Sequence, residues 1–182
     1  MKKIFAILAL AISGSTFAAD FVSVDVDNVK GRNGGHDSTA QYVRAGKAFG
    51  NYQVNLQSRS ARRDDGLVLN SLEVTTANSK VGIAGVTPFV GVGHDNGFDR
   101  GQSYNYGLVG ATYGRPVGPG FLLLGAKTRV GSTEDAARTK QTVAFTTYSI
   151  PVAKNVAFNL NASRSSQDIK EKAFGAGISV SF

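Results

Sequence analysis

The sequence predicts an all-β chain whose strands run up and down, each beside its neighbours in sequence, and close into an antiparallel barrel of ten. Three observations predict it. Apolar and polar residues alternate one for one in six separate segments, the period of a strand with one apolar face. The connections are of two kinds that alternate along the chain, one polar and glycine-rich, the other short or proline-bearing. Past the N-terminus no apolar run is long enough for a spanning helix, and the longest, Phe121-Leu122-Leu123-Leu124-Gly125-Ala126, stops at Lys127.

The first element is an address. Met1, Lys2 and Lys3 precede an apolar run from Ile4 to Ile12, and Thr16-Phe17-Ala18 offers small residues at the −3 and −1 positions of a cut. This is the pattern of a secretory signal peptide, so residues 1–18 are expected to be removed and 19–182 to form the barrel. Nine apolar residues reach only about 14 Å as a helix, short of a ~30 Å bilayer core.

The strands then follow in order at 20–29, 39–49, 52–60, 67–77, 80–94, 102–115, 121–130, 139–150, 156–164 and 169–182. In the first, Val22, Val24 and Val26 alternate with Ser23, Asp25 and Asp27. The second reads less cleanly, with Tyr42 and Arg44 placed inward. The third sets Tyr52, Val54 and Leu56 against Gln53, Asn55, Gln57 and Arg59, and the fourth sets Leu72 and Val74 against Ser71 and Glu73. Thr87–His94 and Thr139–Ile150, in the fifth and eighth, change phase midway, as a β-bulge would make them. The seventh alternates Leu122, Leu124 and Ala126 with Gly125, Lys127 and Arg129, and the ninth Phe158 and Leu160 with Asn159 and Asn161. In the tenth, Phe174, Ala176, Ile178, Val180 and Phe182 face away from Gly175, Gly177, Ser179 and Ser181. Eight strands would result if 77–94 were one bent strand and another break were misread.

A secreted β-sandwich also alternates, but three features favour a transmembrane barrel. The apolar face carries mainly Val, Leu and Ala, which suit lipid contact. The opposite face is crowded with glycine and small polar residues, as a confined interior needs. Aromatics sit near strand ends as interfacial girdles do: Phe49, Tyr52, Tyr113, Phe121, Tyr148 and Phe158 by the short turns, Tyr42 and Tyr104 by the long loops.

The last ten residues, Ala173 to Phe182, resemble the C-terminal assembly signal of Gram-negative outer-membrane proteins, carried here by Phe174, Ile178, Val180 and Phe182. Thr87-Pro88-Phe89-Val90-Gly91-Val92-Gly93 and Tyr104 to Gly110 are similar to hairpins of small barrels of the outer membrane protein A and opacity-protein type. The resemblance implies location in the outer membrane, contact with its lipid and lipopolysaccharide, and biogenesis through periplasmic chaperones and the barrel-assembly machinery. Barrels of this group do many things, so the fold alone names no activity.

The residues themselves narrow the choice. The 182-residue chain has no cysteine and two histidines, which excludes thiol catalysis and Cys-ligated metal, so no cofactor or metal is expected. The formal charge of +7 is not expected to serve nucleic acid on an exported chain. Asp25, Asp27, Arg44, Arg59, Glu73, Lys127 and Arg129 are candidates to line the lumen, with Arg44 beside Asp25 and Arg59 beside Glu73. They either pair across a filled interior or line a narrow passage that weakly favours anions. Ten strands ~4.8 Å apart and tilted ~40° make a cylinder roughly 20 Å across, which leaves on the order of 10 Å where small residues face in. Lys30, Arg32, Arg62, Arg63, Arg138 and Lys140, with Lys170 and Lys172, form a basic rim suited to lipopolysaccharide phosphates.

Two rival readings remain at this level: a surface adhesin or receptor acting through its loops, and an enzyme built on His36-Asp37 or His94-Asp95 with Ser38 nearby. Neighbouring residues on a strand point to opposite faces, so neither pair is a ready dyad and no enzymatic activity is expected. Asp95-Asn96-Gly97-Phe98-Asp99 offers oxygen ligands without the remaining positions of a calcium loop.

Overall fold

A computed structural model of the protein describes residues 21–31, 36–98, 102–131, 141–167 and 171–182. Ten strands occupy nearly all of them: β1 (Phe21–Gly31), β2 (Ser38–Phe49), β3 (Tyr52–Arg63), β4 (Val68–Asn78), β5 (Val86–Phe98), β6 (Gln102–Val117), β7 (Gly120–Gly131), β8 (Gln141–Ala153), β9 (Val156–Gln167) and β10 (Glu171–Ser181). Each pairs antiparallel with its sequence neighbours and β1 pairs with β10, so the barrel closes with no free edge. Ten strands stand and the eight-strand alternative falls.

The strands are tilted. Tracing ladder partners from Gln141 at the start of β8 through Arg129, Leu108, Gly91, Thr75, Asn55, Gly46 and Phe21 leads to Ser181. The Ser181 N–H donates to Asn155, in the turn beyond the far end of β8. One circuit has therefore slipped by a full strand length, the stagger that closure of a tilted sheet demands.

Short turns join the strands at one end. Gly50 and Gly118, at φ 59° and 53°, are each the first of two linking residues, where a type II′ turn requires a glycine. The fifth strand starts at Val86, later than expected, because Ser79–Val81 wind into a 3₁₀ turn whose Lys80 N–H is accepted by the Asn78 side chain at 2.9 Å. At the other end several strands run further than expected, since residues assigned to loops continue the ladder, as in Ser38↔Arg63 and in Gln167 opposite Gln141.

Neither predicted phase change exists. The β5 and β8 ladders are regular through Thr87–His94 and Gln141–Ile150, with shifts only at Asn96/Phe98 and Pro151/Ala153. The alternation misled because aromatic rings occupy inward positions there. Phe89 lies over Gly110, Phe145 over Gly125, Tyr106 over Gly93 and Phe121 over Gly114, and a Cβ on any of these glycines would overlap the ring. Tyr42, Tyr104 and Phe121 also face the interior by register, so they leave the expected girdles. Phe49, Tyr52, Tyr113, Tyr148 and Phe158 remain on the outside near the turns, where the Tyr148 hydroxyl donates to the Val117 carbonyl at 2.9 Å.

The hydrophobic order is inverted relative to a water-soluble sheet protein. Val90, Val92 and Val109 on the outer face are 54%, 64% and 60% exposed, whereas Asp25, Asp27, Glu73 and Asp95 inside are 1–5% exposed. Such a continuous exposed apolar belt needs a nonpolar solvent or a partner. The small apolar cluster of Val29, Ala40 and Ala61, backed by Tyr42, Leu69 and Ala173, lies inside the barrel near its loop end.

Candidate functional site

All seven interior candidates point into the lumen, as their ladder partners require. Their centre is Glu73 on β4. Its partner on β5 is Gly93, which has no side chain, and the Tyr106 ring from β6 fills that gap. The Tyr106 hydroxyl donates to Glu73 Oε1 at 2.9 Å. Lys127 Nζ and Arg129 Nη2 reach the same carboxylate from β7, and Gln57 Nε2 donates to it from β3 at 3.4 Å. A carboxylate taken from water at this depth is tolerable only when charges and donors converge on it in this way.

The bonding continues around the wall. Arg44 Nε donates to Gln57 Oε1 at 2.9 Å, and its Nη1 pairs with Asp25 Oδ2. Asp25 Oδ1 accepts from Asn161 Nδ2 at 2.8 Å, and Asn161 Oδ1 accepts from Thr147 at 2.9 Å. Arg129 Nη1 donates to Gln141 at 2.9 Å, which returns the chain to β8. Eight strands are thereby linked through side chains. The two left out, β5 and β10, present Gly93 and Gly177, where an added Cβ would meet Tyr106 and Asp25.

The expected Arg44–Asp25 pair forms, but Arg59 does not pair with Glu73. Register sets Gln57 opposite Glu73 and Arg59 opposite Ser71, one step nearer the loops. Arg59 instead lies 3.8 Å from Glu171 and over the Tyr42 ring. Asp95 and Glu171 were missed by sequence reasoning and alter the balance. Among the described residues Asp25, Asp27, Glu73, Asp95 and Glu171 face Arg44, Arg59, Arg63, Lys127 and Arg129, so the interior is balanced in charge and lacks the excess of cations on which the anion-favouring alternative rested. Asp27 Oδ1 is buried without a hydrogen-bond partner.

Beside this network runs a cavity of about 680 Å³. It extends from Gln53, Phe121, Ser149 and Ser181 at the turn end, past Lys127 and Arg129, to Val29, Ser165 and Glu171 toward the loops. Its lining is mixed: the charged side chains share it with small polar residues, Thr147, Asn159, Ser163 and Ser179, and with apolar ones, among them Phe89, Phe121, Leu123, Val143 and Phe145. Ala157 to Ser165 on a strand tilted ~40° covers about 20 Å of its length. Spread over that length, 680 Å³ gives a bore on the order of 6 Å.

The remaining candidates are scattered. Phe174, Ile178 and Val180 face outward on β10, and Phe182 follows the strand, exposed. Lys30 and Arg62 are exposed on the outer face, whereas Arg63 turns inward and pairs with Asp65 at 2.8 Å. Asp37 is held below the ordinary aspartate range, chiefly by the hydrogen bond from Lys30. Arg32, Arg138, Lys140 and Lys170, like the expected signal peptide, lie outside the described residues.

Neither histidine bonds to the aspartate that follows it. His36 Nδ1 lies 2.8 Å from Asp64 and its Nε2 3.6 Å from Asp65, at the exposed loop end. That bond holds the Asp64 carboxyl below its usual range. His94 faces outward against Asn105 at 2.8 Å, while Asp95 faces inward and Asn96 outward; Asp99 of the oxygen-rich segment lies outside the described residues.

No protein family matches the chain, and neither does any curated protein sequence. Among solved structures it is similar to the translocator domain of the autotransporter NalP from Neisseria meningitidis, with TM-score 0.51 and 11% identity over 100% of this chain and 94% of that one. It also aligns with the KdgM porin in complex with disordered oligogalacturonate (TM-score 0.47, 9% identity, 89% of this chain and 99% of that one). A third is the Neisserial surface protein NspA (TM-score 0.46, 13% identity, 89% and 96%). At these identities what is shared with the translocator domain is the fold.

Proposed function

We propose that the protein is an integral outer-membrane barrel, exported through a cleaved signal, whose interior is a narrow water-filled passage for small ions. The observation that carries this reading is the lumen itself: a cavity about 680 Å³ in volume runs alongside the charge network, lined by serine, threonine and asparagine together with inward rings such as Phe89, Phe121 and Phe145. The apolar outer belt and the inward polar residues divide as a bilayer-spanning barrel requires. The outward row Phe174, Ile178 and Val180 is the surface through which the assembly machinery would take up the last strand. Ion preference in this reading is weak. Glu73 with Lys127 and Arg129 contributes one net positive charge at the passage, offset toward the loops by Asp27, while Glu171 is balanced by Arg59.

The test is single-channel recording with residues 19–182 folded into a planar bilayer, alongside Lys127→Ala and Arg59→Ala. Small, discrete steps with a slight preference for chloride over potassium, lost in Lys127→Ala, are expected. A folded, inserted barrel that stays silent would overturn the passage and leave a structural barrel held rigid by its inner network.

A further inference from the structure

Register places three cations side by side on the outer face. Arg164 on β9 stands directly opposite Lys172 on β10, and Lys172 stands directly opposite Lys30 on β1. All three are exposed. Directly opposed residues in an antiparallel ladder have Cβ atoms about 5 Å apart, and like charges at that spacing repel. Lys30 is relieved by Asp37. Among the described residues no acidic side chain pairs with Arg164 or Lys172. Glu171, next in sequence to Lys172, faces the lumen and is of no help.

What lies below the row matters as much. Two residues nearer the turn end, on the same outer face, come Ala162, Phe174 and Asn28, a ladder row of its own, followed by Leu160, Ala176 and Val26. Phe174 and Val26 are 64% and 46% exposed. The row of cations thus caps the apolar belt at its loop-side margin, with no polar gap on β10. A ligand suited to this wall is anionic at one end and hydrocarbon at the other, with anionic groups able to span neighbouring strands.

We infer that Arg164, Lys172 and Lys30 form a docking site for a phosphorylated glycolipid, the lipid A portion of lipopolysaccharide, with its phosphates on the cations and its acyl chains along Phe174 and Leu160. A phosphomonoester carries close to two charges and several acceptor oxygens, so one group can bridge Arg164 and Lys172. The inference rests on the outer-membrane reading, and it adds Arg164, which the sequence left out of the rim.

The experiment uses the barrel folded in neutral detergent, with native mass spectrometry counting bound lipid. Probes are diphosphorylated lipid A, its dephosphorylated form and phosphatidylglycerol. Wild type is expected to retain one lipid A, to bind the dephosphorylated form at least tenfold more weakly, and to prefer lipid A over phosphatidylglycerol. Each cation removed, in Arg164→Gln and Lys172→Gln, is expected to weaken binding about fivefold, and the double variant about twenty-fivefold. Lys80→Gln, on the 3₁₀ turn at the other end, serves as the control and keeps wild-type affinity. Equal retention by the double variant, or equal binding of phosphatidylglycerol, would overturn the site. Heat-modifiable mobility reports folding of each variant, and insertion into phosphatidylcholine vesicles tests the membrane reading separately. A barrel that inserts but ignores lipid A defeats only this inference.

Discussion

Replacing Glu73 with Gln removes the charge on which Lys127 and Arg129 converge and keeps the side-chain shape and an acceptor for Tyr106. The Glu73 side chain is 3% exposed, against 12% for Lys127 and 11% for Arg129, so solvent cannot replace what the variant loses. Removing one member of a buried pair costs about 3–5 kcal/mol. The passage beside Lys127 and Arg129 lets water reach them in part, which places the expected loss near the low end, about 3 kcal/mol. The chain has no tryptophan, so urea unfolding of the barrel in phosphatidylcholine vesicles is followed by far-ultraviolet circular dichroism. With a slope of about 2 kcal/mol per molar, the midpoint should fall by about 1.5 M. Adding Lys127→Met to Glu73→Gln removes one of the two stranded cations and should restore roughly half of that shift, because the penalty lies mainly in uncompensated charge. In bilayers the single variant should favour chloride more than wild type does. A midpoint change under about 0.3 M, with unaltered ion preference, would refute the idea that Glu73 holds these cations.

Other expectations follow from the same geometry. Gly93→Ala places a Cβ in the Tyr106 ring and should cost about 1–3 kcal/mol by displacing it from Glu73, read as a lower urea midpoint. On the outer face Val92→Arg should cost about 2–4 kcal/mol and lower the folded fraction in vesicles, while Ser163→Arg on the lumen wall should fold well and reduce conductance. At the loop end, the hydrogen bond from His36 depresses Asp64 below its ordinary 3.8, and that from Lys30 depresses Asp37. A depressed folded-state value means this stabilisation is whole above the unfolded value and vanishes as pH falls through the folded one. The Asp64 amide, which donates to the Asp37 carbonyl at 2.9 Å, should therefore lose hydrogen-exchange protection below about pH 4. Asp64→Asn should flatten that dependence.

The alternation that makes the barrel legible also limits what can be read from it. Where one face is aliphatic and the other polar, as in β1, β3, β4, β7, β9 and β10, the inward residues follow at once, Glu73 and Lys127 among them. In β5, β6 and β8 the rule fails because large rings face inward as well: Phe89, Tyr106 and Phe145 each cover a glycine on the next strand. Polarity cannot then decide the face, which is why Asp95 and the Tyr106 hydroxyl escaped notice. A usable signal was present for those three rings, since the chain supplies Gly110, Gly93 and Gly125 directly opposite them in register. Partner choice is harder still. Strand adjacency points Arg59 to Glu73, but in a tilted barrel a long side chain reaches along the lumen as easily as across it. Two residues of stagger give Arg59 to Glu171 and leave Glu73 to β7. Stagger depends on closing the whole circuit, a property of ten ladders together. The charge balance of the interior, and with it the weakness of any ion preference, is therefore fixed by closure rather than by any one strand.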